Sequence, residues 1–297
     1  MTPLRLALVH ADDHHHRYLE SVLLGRFDLE LVVVETDRAK VAAVGRGGRF
    51  RDWIYHGYHR CRRALTGKDQ YRRRYFAHVP QLWAAPGPGR LEARSVNDEV
   101  VADAFRAVRA DVVVIIDCST VSKAALTAAG PLVVNIHSGF LPYYRGRHSF
   151  FFAAYDRRID RIGSTIHRVD PGVDTGELIE VVRPPLRGDE VPEHLYCRAD
   201  LLAIHRLVGW LEIVERGGEL PSYPQPPVGH TYRTRDRGPT HDVRYFLRRC
   251  ARAGRNYRRA DRTPVVGAPV PTSVLDGERP RRGQLVSLSL PGDHRPR

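Results

Sequence analysis

Three polar residues in this 297-residue sequence have types and spacing suited to chemistry. Asn135 and His137 lie two apart at the end of an apolar run, and Asp174 sits in an Asp-x-Gly string. On a strand, positions i and i+2 point the same way, so a carboxamide and an imidazole there face one atom. Both can donate hydrogen bonds to an oxygen that gains negative charge. A carboxylate such as Asp174 raises the proton affinity of an imidazole and relays protons directly or through water. Taken alone, the pair also suits a strand end that satisfies loop backbone, and Asp-x-Gly suits a turn. Position by itself does not name the reaction.

The elements that must place these residues read as an α/β rhythm. Leu4 to Val9 is a compact apolar strand, followed by a loop at His10-Ala11-Asp12-Asp13. Tyr18, Leu19, Val22 and Leu23 recur at helical spacing, and Gly25 suits the helix end. Leu29 to Glu35 is a second strand, so a parallel sheet with crossover helices begins here. Residues 45–95 interrupt the rhythm and read as an insertion over or beside the sheet. Within them, Arg49 to Ala77 forms one or two basic helices, and Pro86-Gly87-Pro88-Gly89 is a turn cluster.

The rhythm returns with Asn97 as N-cap of a helix through Val108. Asp111 to Asp117 is the strongest strand, apolar throughout as a strand covered on both faces must be. Leu132 to Ile136 is the strand that ends at the Asn/His pair. Ligands of open parallel sheets bind outside the carboxyl ends of strands, which is where the pair falls. Then come a helix over Ser149 to Asp156, strands at Gly163 to Val169 and Leu178 to Val182, and a helix over Glu193 to Val214. Arg244 to Arg262 reads as a basic helix, and the stretch from about Pro264 as an extended or disordered tail. The expected fold is α/β: an open, mostly parallel Rossmann-like sheet with helices on both faces. A catalytic domain at 1–215 carries the 45–95 insertion, and 216–297 is a basic C-terminal extension.

The flanks of the trio carry a resemblance. Asn135-Ile136-His137-Ser138-Gly139-Phe140-Leu141-Pro142 leads into Tyr143-Tyr144-Arg145-Gly146, and then come Gly163-Ser164-Thr165-Ile166-His167 and Asp174-Thr175-Gly176. This resembles the formyltransferase family, with its Asn-x-His-x-x-x-Leu-Pro, an Arg/Gly-containing loop, Gly-x-Thr-x-His and Asp-x-Gly. The resemblance implies catalytic roles for Asn135, His137 and Asp174, and 10-formyltetrahydrofolate as co-substrate, with no metal. It implies that the pterin ring slots between two loops. One contributes Asp117, Cys118, Ser119, Thr120 and Val121, where the sequence departs from the more apolar family run; the other contributes Val169, Asp170 and Gly172. The family often has a cis bond at the position of Leu141-Pro142, although trans has the higher base rate for any proline. The acceptor side is assigned to His10 and His15, in the loop after the first strand, and to Tyr144 and Arg145, the arginine suiting a phosphate or carboxylate.

Composition bounds the partners. A net charge of +13 comes almost wholly from arginine, since Lys40, Lys68 and Lys123 are the only lysines. Such a surface attracts phosphates, so nucleotide-linked substrates or RNA are open to it. No apolar run is long enough for a membrane span, and the four scattered cysteines read as free thiols in a cytoplasmic protein. His14-His15-His16 with His10 is not a metal set, because consecutive histidines cannot all face one ion. The post-core region has too little strand pattern for the barrel that methionyl-tRNA formyltransferases carry. A small-molecule amine, either an amino sugar or a natural-product amine, is therefore the expected acceptor, and nucleic acid is disfavoured. Hydrolysis of the formyl donor is the neighbouring enzymatic reading. A basic RNA-binding or interaction protein on a non-catalytic core is the reading of another class. Oligomeric state is not legible.

Overall fold

The computed structural model describes residues 3–36, 50–65, 68–76, 89–184 and 192–250. Seven strands form one sheet: β1 (Arg5–Ala11), β2 (Asp28–Glu35), β3 (Gly89–Ala93), β4 (Val112–Ile116), β5 (Val133–His137), β7 (Ser164–Arg168) and β8 (Leu178–Val182). Their order is β3-β2-β1-β4-β5-β7-β8. All neighbours from β3 to β5 are parallel, while β7 runs antiparallel to both β5 and β8. The fold is the expected open, mostly parallel α/β sheet.

Alternation along the strands builds two cores. Leu6, Leu8, Val112, Val114, Val134 and Ile136 pack on one face with α1 (His14–Leu24) and the long helix α7 (Pro192–Glu215). Ala7, Val9, Val113, Ile115 and Val133 pack on the other with α4 (Glu99–Val108) and α5 (Lys123–Ala129). Side chains on a strand alternate sides, so Asn135 and His137 share the face of Val133. The chain leaves β1 towards β2 and β3, then returns to β4 and β5 on the other side. That reversal lies at the carboxyl ends of β1 and β4, where such sheets open a crevice.

Several expectations shift. β1 runs on to Ala11, because His10 pairs in register with Val34 and Ile116. The end of the 45–95 segment is a sheet strand, since β3 pairs with β2 from Leu31↔Gly89 to Glu35↔Ala93. The middle of that segment forms two helices, α2 (Phe50–Leu65) and α3 (Lys68–Tyr75). Asp98 is the N-cap residue of α4. Asn97 instead braces the next loop, donating to Thr120 O at 2.9 Å and accepting from Ser122 N at 2.7 Å. Of the two isomers open to Leu141–Pro142, the bond is cis, the one the family often shows.

Beyond α7, β9 (His230–Tyr232) pairs in parallel with β6 (Tyr144–Gly146), the loop after the catalytic-type strand. The Tyr232 ring stacks on Phe152 of α6 (Ser149–Tyr155), with centroids 3.8 Å apart. α8 (Pro239–Cys250) follows; the tail from Pro264 lies outside the described residues. No described helix is long and apolar enough to cross a membrane.

Candidate active site

Strand β5 ends at the carboxyl edge with Asn135 half-buried and His137 buried. The loop after β7 brings Asp174 to both, in the left-handed conformation at φ 52°. Asp174 Oδ2 lies 3.3 Å from His137 Nδ1 and accepts from Gly146 N at 2.7 Å. Asp174 Oδ1 lies 3.5 Å from Asn135 Nδ2, at the outer limit of a hydrogen bond. One carboxylate thus touches both members of the strand-end pair.

The imidazole is held closely. His137 Nε2 donates to Tyr144 O at 2.9 Å, with Ser149 Oγ at 3.4 Å. Gly139 leaves the space for this, since a Cβ there would collide with His137 Nε2 and Tyr144 O. Both ring nitrogens face acceptors, which favours an imidazolium, but burial outweighs them and lowers the pKa below the ordinary 6.5. The neutral ring, with Nε2–H on Tyr144 O, leaves an Nδ1 lone pair beside the carboxylate, ready for a proton. Burial pushes Asp174 up, yet His137, His167 and Gly146 N–H more than offset it, so its carboxyl stays ionised well below the usual range.

His167 completes the cluster. It is directly opposite Asn135 in the β5–β7 pairing and accepts from Asn135 Nδ2 at 3.0 Å. Its Nδ1 donates to Arg168 O at 2.7 Å, which fixes the tautomer. The Gly-x-Thr-x-His string contained it, but only the antiparallel register shows which residue it serves. Gln225, fifty residues further on, donates to Asp174 O at 3.0 Å and Gly176 O at 2.6 Å. No sequence signal near Gln225 pointed to that role.

The two expected donor-side loops meet over one apolar cluster, in which Cys118, Val121 and Val169 join Val133 below Asn135. Glu35 is buried and accepts from Ser119 N at 2.8 Å and Ser119 Oγ at 3.0 Å, pinning the first loop. Thr120 is held by Asn97, as described above. Asp117 has a left-handed backbone and pairs with Arg147. Asp170 closes the second loop as a turn, accepting from Gly172 N at 3.1 Å and Thr175 Oγ1 at 2.7 Å.

On the acceptor side the placements diverge from the sequence reading. His10 is fully buried, with Nδ1 2.6 Å from Ala11 O and Nε2 3.1 Å from Glu20 Oε2, so it is an internal strut closed to ligands. His15 is equally buried, its Nε2 3.1 Å from Tyr196 Oη; burial first, and then His16, lower its pKa well below the ordinary value. The neutral form is the one that can be buried without a counter-charge, which is why the run of histidines fits inside the protein. Tyr144 supplies its backbone oxygen to His137 while its hydroxyl donates to Asp156 at 3.1 Å. Arg145 donates to Val228 O at 3.0 Å and Gln225 Oε1 at 3.2 Å, so it ties the β6 loop to the C-terminal arm. Arg147, two residues on, is the arginine that reaches towards the crevice, through Asp117.

The molecule is thus an open α/β sheet with an amide, two imidazoles and a carboxylate gathered at its carboxyl edge. The formyl transferase family model matches residues 62–208 of this chain. A methionyl-tRNA formyltransferase of Paraburkholderia phymatum is 32% identical over 147 residues, 48% of this chain and 43% of the relative. One from Anaeromyxobacter dehalogenans is 31% identical over 148 residues, 49% of this chain and 47% of the relative. The chain spans less than half the length of these curated relatives. Among solved structures, a sugar N-formyltransferase from Shewanella sp. superposes with a TM-score of 0.52 at 13% identity, covering 82% of this chain and 87% of that one. A phosphoribosylglycinamide formyltransferase from Anaplasma phagocytophilum gives 0.50 at 16% identity, covering 73% and 89%. At these identities the two structures show the fold.

Proposed function

We propose that this protein transfers a formyl group from 10-formyltetrahydrofolate to a primary amine of a small molecule, an amino sugar or a natural-product amine. The observation that carries the reading is the single carboxylate of Asp174, in reach of both Asn135 and His137 at the sheet's carboxyl edge. As the amine nitrogen adds to the formyl carbon, the formyl oxygen gains charge. The Asn135 N–H facing Asp174 is the donor most easily redirected to it, because its present contact is the weakest in the cluster. The proton shed by the amine is taken by neutral His137 beside the ionised Asp174, and the lowered imidazole pKa keeps that ring unprotonated at neutral pH. The same pair returns it to the folate nitrogen as the carbon–nitrogen bond breaks, so the proton balance closes. The folate supplies the activated formyl group; the loops at 117–121 and 169–172 would hold its ring.

In this reading residues 1–215 are the catalytic unit. The segment 216–297 is an extension whose described part braces the β6 loop and Asp174. A cytoplasmic location follows from the folate chemistry and stays part of the proposal. The test is a panel of amino sugars, nucleotide-linked amino sugars and other amines incubated with 10-formyltetrahydrofolate, following tetrahydrofolate and formylated product. Product that disappears in Asn135→Ala and His137→Ala supports the reading. Formate released at the same rate with and without every amine replaces it with donor hydrolysis. No folate turnover by the folded wild-type chain sinks it.

A further inference from the structure

A second set of buried polar groups lies behind the catalytic-type strand end and takes no part in the chemistry above. Asp200 of α7 is fully buried. Its Oδ2 accepts from Ser138 Oγ at 3.0 Å, and Ser138 is the residue immediately after His137. Its Oδ1 accepts from Ser164 Oγ at 2.5 Å, at the start of the strand that carries His167. One carboxylate therefore ties the end of β5 to the start of β7, the two imidazole-bearing strands. The cluster continues outward. Ser138 Oγ lies 3.4 Å from Tyr196 Oη, which is 3.1 Å from His15 Nε2, and that nitrogen is 3.7 Å from Asp200. The guanidinium of Arg72 lies over the Tyr196 ring at 4.1 Å. Arg72 comes from α3, in the segment that breaks the α/β rhythm, and is itself buried. It donates Nε to Glu193 of α7 at 2.6 Å and Nη1 to Asp13, the N-cap of α1.

A buried carboxylate is costly, and the serine hydroxyls and neutral His15 beside Asp200 bring it no cation in hydrogen-bonding contact. Hydroxyls could be held by an amide or a backbone carbonyl at less cost. What the carboxylate adds is a directional hold on Ser138 that is braced, through Tyr196, by an arginine from outside the sheet. We infer that Asp200, Tyr196 and Arg72 are positioning residues. They lock the strand end bearing His137 to α7 and α3, which makes the inserted helices part of the support of the active site rather than a separate module. This inference rests on reading His137 as catalytic.

The test uses the full chain with Ser138→Ala, Arg72→Met and their combination. Steady-state kcat and KM are read alongside thermal stability and the ¹⁵N signals of the His137 ring, which are identified by their loss in His137→Asn. Holding a reacting group is worth up to about 100-fold, so we expect each single variant to lower kcat by about 10- to 100-fold at unchanged KM and to move the His137 signals. Ser138→Thr, which keeps the hydroxyl, restores both. The double variant falls no further than the worse single, because both cut one chain. Arg106→Ala, at an exposed ion pair with Asp103, changes neither. If Arg72→Met does not fold, Arg72→Lys keeps the charge without the fork and is read the same way. Folded variants with wild-type kcat and unmoved His137 signals overturn the inference, as does simple additivity. A wild-type chain without formyl transfer, in which Ser138→Ala still moves the His137 signals, removes the proposed reaction and leaves the positioning chain standing.

Discussion

Two histidine-rich clusters sit at the carboxyl edge of the same sheet, and they do opposite things. At the ends of β5 and β7, His137 and His167 meet a half-buried amide and an ionised carboxylate. At the end of β1 and the start of α1, His10, His15 and His16 are wholly buried, with Nδ1 of both His10 and His16 against Ala11 O. Burial lowers His16 to about 4, so His16 stays neutral across the physiological range. Residue type does not separate the two. Nor does a neighbouring carboxylate, since Glu20 lies 3.1 Å from His10; the difference is whether a polar group stays within reach of a ligand. A histidine sealed inside the protein is architecture, and one beside a half-buried amide with a redirectable N–H is equipped for chemistry.

The largest contrast comes from Asp174→Asn, which removes the proton acceptor. We expect a loss of roughly 1000-fold in turnover with the fold retained. Stability at neutral pH falls too, because the depressed carboxyl pKa stabilises the folded state there, a contribution lost only as pH drops through it. Melting curves and turnover on one sample separate the two effects.

Asp200→Asn tests the support behind the site. Burial raises this carboxyl to about 6, against the hydrogen bonds of Ser164 and Ser138, the charge of Arg72 and the hydroxyl of Tyr196. A raised carboxyl pKa means the folded state is favoured below the unfolded pKa and loses that advantage as pH rises through about 6. The amide should therefore be more stable than wild type by ~2–3 kcal/mol at alkaline pH, and no more stable in mild acid. A variant equally destabilised at both pH values breaks this account.

His10→Leu probes the other cluster. It strips Glu20 of one buried partner and should cost about 1–3 kcal/mol of stability while leaving kcat/KM near wild type. A turnover loss as large as that of Asp174→Asn would erase the distinction between the clusters.

The smallest effect is in the pH profile. Because burial lowers the His137 pKa, activity should be lost on acidification below the ordinary 6.5, not at it. A rate profile whose acid limb lies above that value contradicts the neutral, buried imidazole.

Much of this was legible in one dimension. Val133 to His137 declares a strand, and period-two alternation puts Asn135 and His137 on one side. The spaced Gly-x-Thr-x-His and Asp-x-Gly strings give that strand its family resemblance. The continuously apolar strand at 112–116 likewise announces a sheet covered on both faces. These features are local: they depend on residues near in sequence and on the period of one element.

Tertiary structure decided which side chains meet. His167 faces Asn135 because β7 runs antiparallel in one particular register, and a shift of one residue would turn it to the other face. Gln225 reaches Asp174, and Arg145 turns away to Gln225 and Val228, because β9 returns to pair with β6. His10 looked like a pocket residue from its place after an apolar run, but pairing on both sides carried β1 past it and sealed it inside. Arg72 joins the active-site support from a segment that sequence could only mark as an interruption. The physical reason is common to all four. Periodicity fixes the face a side chain takes on its own element, whereas its partner depends on register and long-range return of the chain, which no local pattern encodes.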